Sequence, residues 1–139
     1  MREESAFLPE EVSRSDARGL FQVIPATGAK MARGLGIRFK GDTLFDPASS
    51  ARIGARYLAG LRGRFSTAPV LAIPGYNAGP GAPEAWLTDR PGWDFDLWVE
   101  RIPYAETRGY TKRVIATLFA YEALYGSDLI ETANLPVRL

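Results

Sequence analysis

The stretch DPASSARIGARYLAGLRGRF, residues 46–65, constrains the fold more than any other part of the chain. Asp46 is placed to cap a helix through its side-chain oxygen. Pro47 then falls at the first helical position, where a missing N–H and a fixed φ do no harm. Ile53, Tyr57 and Leu61 recur at i, i+4 and i+8 on one face. An amphipathic helix of this kind must be covered by other elements, so all three are core candidates.

The rest of the chain reads as shorter helices separated by Pro and Gly. Residues 1–7 tolerate a helix, but Pro9 disfavours helical geometry at Leu8. Seven residues are too few for a helix to persist alone. The segment therefore reads as the end of a longer helix, with residues 1–139 forming one domain shortened at its N-terminal helix. GLFQVI at 19–24 reads as a helical turn or a strand. Thr27 is placed to cap a helix through about Leu35, with Gly34 and Gly36 as stop signals. Residues 69–78 form an apolar segment that Pro74 ends or kinks. Pro83 opens a short helix carrying Trp86 and Leu87. A last long helix runs from about Thr107 to Tyr125, with Tyr110, Val114, Leu118, Tyr121 and Tyr125 on its core side and Gly126 as its stop. Alternating Val/Ile/Thr runs are nearly absent. The expectation is a mainly α domain of four to seven helices, with little or no β and long polar, proline-containing loops that are suited to carry a site.

Composition narrows the chemistry. The chain has 139 residues, 46% apolar and 24% charged, with a formal charge of +1. That length suits one domain with a single core. The balanced charge argues against a nucleic-acid module, which shows a basic stripe. There is no Cys and no His. A thiol nucleophile, a disulfide framework and a Ser-His-Asp triad are thereby excluded, and a zinc site is disfavoured. Acid/base chemistry near neutral pH falls to Asp, Glu, Lys or Tyr. No window reaches the apolar length of a membrane span, and the N-terminus has no apolar run of signal-peptide type.

Four stretches then stand out: EESAF at 3–7, GLFQVIPATG at 19–28, GYNAGPG at 75–81 and IPYAETRGY at 102–110. Each alone is weak, and GYNAGPG by itself reads as a turn. In this order and spacing they resemble the bacterial soluble lytic transglycosylases, whose lysozyme-like domain cleaves peptidoglycan glycan strands. The residues that carry the resemblance are Glu4 and Ser5; Gly19, Leu20, Gln22, Pro25 and Thr27; Tyr76, Asn77, Ala78 and Gly79; and Pro103, Glu106, Thr107 and Tyr110. It runs from Glu4 to Tyr125. The family's first helix normally extends several residues before the catalytic glutamate, and Ile73-Pro74-Gly75 stands where many members have alanines.

The resemblance implies a lysozyme-like fold with a substrate groove lined by Glu4, Gln22, Tyr76 and Glu106. It makes Glu4 the catalytic acid/base. Protonating a poor leaving oxygen requires a carboxylic acid that stays protonated near working pH, which partial burial against apolar neighbours promotes. Phe7 and Leu20–Ile24 are the candidates for that apolar wall. Glu3, about 100° further round a helix, should face solvent. By the same resemblance Ser13 contacts the substrate's acetamido group, Gln22 binds sugar, Tyr76 hydrogen-bonds near the glutamate or the N-acetyl group, and Asn77 orients a loop or substrate. Glu106 binds sugar or anchors the groove wall; a capping or salt-bridge role fits it equally. Trp86, Trp93 and Trp98 read as core, with sugar stacking as the sharper alternative.

Most glycosidases use two carboxylates; the resemblance implies one here, no metal and no cofactor. It also implies peptidoglycan strands as partner, no nucleic acid, and a bacterial periplasmic or cell-envelope location. Two rival readings stay open. A lysozyme- or chitinase-type hydrolase would need a second carboxylate from Asp16, Asp42, Asp94 or Asp96. An inactive glycan-binding module would keep the fold without turnover.

Overall fold

The structure, a computed structural model, describes residues 1–126 and residue 139. Among the described residues every regular element is helical: α1 (Arg2–Ser5), α2 (Pro25–Gly34), α3 (Pro47–Arg64), α4 (Ala72–Ala78), α5 (Gly81–Asp89), α6 (Phe95–Glu100) and α7 (Ala105–Tyr125), with a 3-10 turn at Pro69–Leu71. Among these residues extended pairing is limited to isolated antiparallel bridges, Val12 with Arg18 and Arg18 with Val23. GLFQVI is thus neither helix nor strand. The chain divides into two compact units, Met1–Gly60 and Leu61–Leu139.

The long helix forms as its cap predicts. Asp46 Oδ2 accepts the Ser49 N–H at 2.8 Å, and Asp46 C=O accepts the Ser50 N–H. Ile53 and Leu61 are buried and Tyr57 is partly buried. α2 departs from expectation at its start. It begins at Pro25, with Ile24 in extended geometry and no side-chain cap. Thr27 lies inside the first turn, because the fixed φ of Pro25 already sets the helical path two residues earlier. The stop is as read, with Gly36 at φ +67° just beyond the helix.

In the first unit Val23, Ala32, Leu44 and Ile53 form the buried centre, with Phe21, Met31, Leu35, Ile37 and Phe39 packed against it. Several of these lie outside helices, so connecting segments fill the core. Two glycines permit this closeness. A Cβ at Gly54 would stand 2.4 Å from the Phe21 ring, and one at Gly19 would stand 1.8 Å from the Leu44 carbonyl oxygen.

In the second unit Leu61, Phe65, Leu71, Trp86, Phe95, Trp98, Val99, Ile102 and Tyr110 are buried. α4 packs on α5 and α7, and α6 packs on α7. Pro74 does not end the segment. It is the third residue of α4, where N–H groups have no intrahelical acceptor, so the missing donor is harmless. The Phe65 ring lies beside Gly75. α6 escaped the sequence reading, although Phe95, Trp98, Val99 and Ile102 follow a helical spacing. Trp86 and Trp98 are core residues with ring centroids 6.2 Å apart, while Trp93 is partly buried.

The core side of α7 holds only for its first half. Tyr110 is buried, Val114 and Leu118 are partly buried, and Tyr121 and Tyr125 are exposed. The cause is length: α7 has 21 residues, whereas α4 and α6 have 7 and 6. Short partners cannot cover a long helix. Tyr121 and Tyr125 instead stack on each other, with centroids 5.6 Å apart. Among the described residues no helix is long and apolar enough to cross a membrane.

Two predictions follow from these contacts. Gly19→Ala and Gly36→Ala share a left-handed backbone, at φ +73° and +67°, but only Gly19 faces a close neighbour. Gly36→Ala should cost about 1–2 kcal/mol, and Gly19→Ala about 1–3 kcal/mol more because the new methyl must displace backbone. Urea midpoints compare them directly. The second concerns pH. The Ser49 hydrogen bonds hold the Asp46 carboxyl below its ordinary value of 3.8. A depressed carboxylate stabilises fully above its unfolded value and loses that contribution as pH falls through the lower folded value. Asp46→Asn should therefore flatten the fall in denaturation midpoint below about pH 4 relative to the parent.

Candidate active site

Glu4 sits on α1, a single turn that cannot hold itself. Isolated helices of this length do not persist in water, so its position depends on what ties the turn down. Ser5 supplies the tie. It is 4% exposed, and its hydroxyl donates to the Leu20 carbonyl at 3.0 Å. The chain then turns sharply through Ala6 at φ 49° and Phe7 at φ 66°, both in left-handed geometry, and the Leu8 N–H donates back to Ser5 C=O at 2.9 Å.

Glu4 is partly buried. So is Glu3, against expectation: its side chain is 17% exposed, and Arg2 lies 3.9 Å away. The expectation of a solvent-facing Glu3 assumed a regular helix with one covered face. A single turn from which the chain doubles back at Ala6 and Phe7 has no such outer face. Both carboxylates act on the Met1 amine. Burial pushes that amine below its ordinary value, while the negative charges of Glu4 first and Glu3 second oppose the shift. The apolar wall also differs from expectation. Phe7 and Ile24 are 51% and 48% exposed, and Val23 is buried in the unit's core; Leu20 and Phe21 are partly buried. Phe7 is turned outward at its left-handed backbone.

Residues 11–23 make a loop cross-linked by its own hydrogen bonds, and it carries Ser13 and Gln22. Ser13 Oγ accepts the N–H groups of Ser15 at 3.2 Å and Ala17 at 3.0 Å. Gln22 is held at φ 45°. Its amide Nε2 donates to Glu11 C=O and Gly19 C=O, each at 3.0 Å. Both amide protons thus close the loop, and Oε1 is the atom left for a ligand. Asp16, at φ 61°, pairs with Arg18 through both oxygens at 2.7 and 3.1 Å. All four non-glycine residues with positive φ among the described residues lie between positions 6 and 22. Such geometry is costly and concentrates where a site is held in a fixed shape.

In the second unit, Tyr76 and Asn77 lie on α4, with Tyr76 partly buried and Asn77 exposed. Glu106 is exposed in the first turn of α7, where a negative charge suits the helix dipole. The structure joins two of the sequence motifs here: Thr107 Oγ1 lies 2.6 Å from Asn77 Oδ1. Among the described residues no three His, Cys, Asp or Glu side chains are gathered to hold a metal.

The family described as the transglycosylase SLT domain matches residues 1–99. The chain belongs to this family. The match covers the first three motifs, and the fourth lies beyond it. The soluble lytic murein transglycosylase of Salmonella typhimurium is 37% identical over 127 residues, covering 89% of this chain and 19% of the relative. Two solved structures are similar. That of the 70 kDa soluble lytic transglycosylase of Escherichia coli has a TM-score of 0.88 at 33% identity, covering 99% of this chain and 23% of the other. That of an inactive mutant of the Pseudomonas aeruginosa lytic transglycosylase Slt has a TM-score of 0.82 at 37% identity, covering 88% and 20%. The chain therefore spans about a fifth of the relatives it matches, and its fold matches the lysozyme-like, all-α fold of the part it covers.

Ser5 carries part of the resemblance, but the sequence assigns it no role. It was adjacent to Glu4 in the first motif, but a Glu-Ser pair carries no sign of a partner 15 residues away. Ser5→Ala should leave the Leu20 carbonyl without its donor and cost about 1–3 kcal/mol. Thermal melts of the two proteins measure it, and amide exchange at Leu8 should quicken in the variant.

Proposed function

We propose that this chain carries the catalytic domain of a peptidoglycan lytic transglycosylase, with Glu4 as its one catalytic carboxylic acid. The supporting observation is the placement of Glu4: partly buried, on a turn fixed through Ser5 to the Gly19–Val23 loop. The substrate is the β-1,4 bond between N-acetylmuramic acid and N-acetylglucosamine, and the setting is the bacterial cell envelope, where that polymer lies.

Glu4 donates its proton to the glycosidic oxygen as the C1–O bond breaks. The acetamido oxygen of the muramic sugar stabilises the positive C1 centre. The Glu4 carboxylate then accepts the proton of the sugar's own 6-hydroxyl as O6 bonds to C1. The glutamate is regenerated and the product is 1,6-anhydro-N-acetylmuramic acid, with no water consumed. Ser13, Gln22, Tyr76, Asn77 and Glu106 contact or orient the glycan. The Gln22 contact falls to its Oε1, because its amide protons hold the loop.

A hydrolase would need a second carboxylate to hold water or the cation. Of the four candidates, Asp16 is engaged by Arg18 and Asp96 accepts the Leu97 N–H at 2.7 Å, which argues against these two in that role. That the Pseudomonas structure is of an inactive mutant made by replacing one glutamate with glutamine accords with an essential glutamate in that relative.

Mass spectrometry of the products from purified peptidoglycan tests the reading. Anhydro ends are expected; reducing ends would mean hydrolysis. Glu4→Gln keeps the side chain's shape but has no proton to give, and anhydro-muropeptide release should drop at least about 10²–10⁴-fold while glycan binding persists. Glu3→Gln should stay within a few-fold of the parent. A dead Glu3→Gln beside an active Glu4→Gln would move the assignment to Glu3, and binding without turnover by all three proteins would identify a glycan-binding module.

A further inference from the structure

We infer that Thr107 is a positioning residue: its hydroxyl fixes the carboxamide of Asn77 so that the amide N–H groups face outward as donors to an oxygen of the glycan. The inference rests on the reading above and adds a residue to it.

The geometry begins with a distance. Thr107 Oγ1 and Asn77 Oδ1 are 2.6 Å apart, across 30 residues of sequence. That separation belongs to an O–H···O bond rather than an N–H···O bond. A carboxamide oxygen only accepts, so the threonine hydroxyl donates. Thr107 is well fixed for the task. It is 2% exposed, and its own carbonyl accepts the hydroxyl of fully buried Thr111 at 2.8 Å. It lies in the first turn of α7, against which α4 packs.

Asn77 is the opposite case. It is exposed, and an exposed carboxamide turns freely unless something selects one orientation. With Oδ1 committed to Thr107, Nδ2 points away from that contact and carries both donors. Peptidoglycan strands are dense in matching acceptors, the ring hydroxyls and acetamido carbonyls. A threonine at this position therefore sets the polarity of the face that Asn77 shows a glycan, without touching the glycan itself.

The test compares the whole chain with Thr107→Val, Thr107→Ser and Asn77→Asp. Binding of a neutral N-acetylglucosamine tetrasaccharide is followed by NMR titration, and peptidoglycan cleavage by muropeptide release. Losing an oriented neutral hydrogen bond weakens binding about 3- to 10-fold. Thr107→Val should show that loss, with KM rising more than kcat falls, and Thr107→Ser should match the parent within about twofold. Asn77→Asp decides the matter even if Thr107→Val fails to fold. An aspartate still accepts the Thr107 hydroxyl but has no N–H to offer, so it should melt like the parent yet bind the neutral saccharide as weakly as Thr107→Val. If Asn77→Asp binds like the parent, the bond is structural only and the inference is overturned while the Glu4 reading stands. A parent that neither cleaves peptidoglycan nor binds the saccharide overturns both. A parent that binds with this Thr107 dependence but does not cleave supports the inference and removes the catalytic reading.

Discussion

At Gly19 the backbone passes the Leu44 carbonyl so closely that no side chain fits between them. The organisation of the first unit follows from that approach. Gly19 N–H donates to Glu11 C=O, and Gly19 C=O accepts both the backbone N–H and the side-chain amide of Gln22. Arg18 and Val23 pair across the turn, which sets Val23 into the core. The next residue, Leu20, offers the carbonyl that anchors Ser5. A one-turn helix bearing Glu4 is thus held by a loop that is itself held by a glycine. Local propensity alone would leave residues 2–5 unfolded.

The second unit solves a related problem with side chains. α4 and α6 are too short to be stable alone, and α7 supplies the surface on which both pack. Apolar contact secures that packing through Trp98, Val99, Ile102 and Tyr110. Directional contact comes from fewer bonds. Arg108 Nη1 reaches Ile102 C=O at 2.8 Å, and Thr107 reaches Asn77. Exposed ion pairs such as Lys112 with Glu100, at 2.6 Å, add little, because water and salt screen them. The polar bonds that matter most are those with one buried partner.

These arrangements suit a chain with no His and no Cys. The single-acid reaction proposed for it would depend on placement more than on activation by a second titrating group. Strained backbone at Ala6, Phe7 and Gln22 surrounds the residues assigned to the first unit's chemistry. Strain of that kind persists only where neighbouring contacts over-determine it, and here the Ser5 and Gln22 hydrogen bonds do so.

The sequence by itself determined the mainly α class, the long capped helix from Pro47, the stop signals at Gly36 and Gly126, and the motif set that places the chain in its family. Those features are local: a cap, a fixed φ, a helical repeat or a short spacing is complete within a few residues. Tertiary structure alone decided the rest. It covered Glu3, exposed Phe7, turned the amide protons of Gln22 to its own loop, and left Tyr121 and Tyr125 uncovered. It also joined Ser5 to Leu20 and Asn77 to Thr107. The physical reason is range. A hydroxyl's partner 15 or 30 residues away leaves no periodic trace in the chain, and a helix face becomes core only where a neighbour is long enough to cover it.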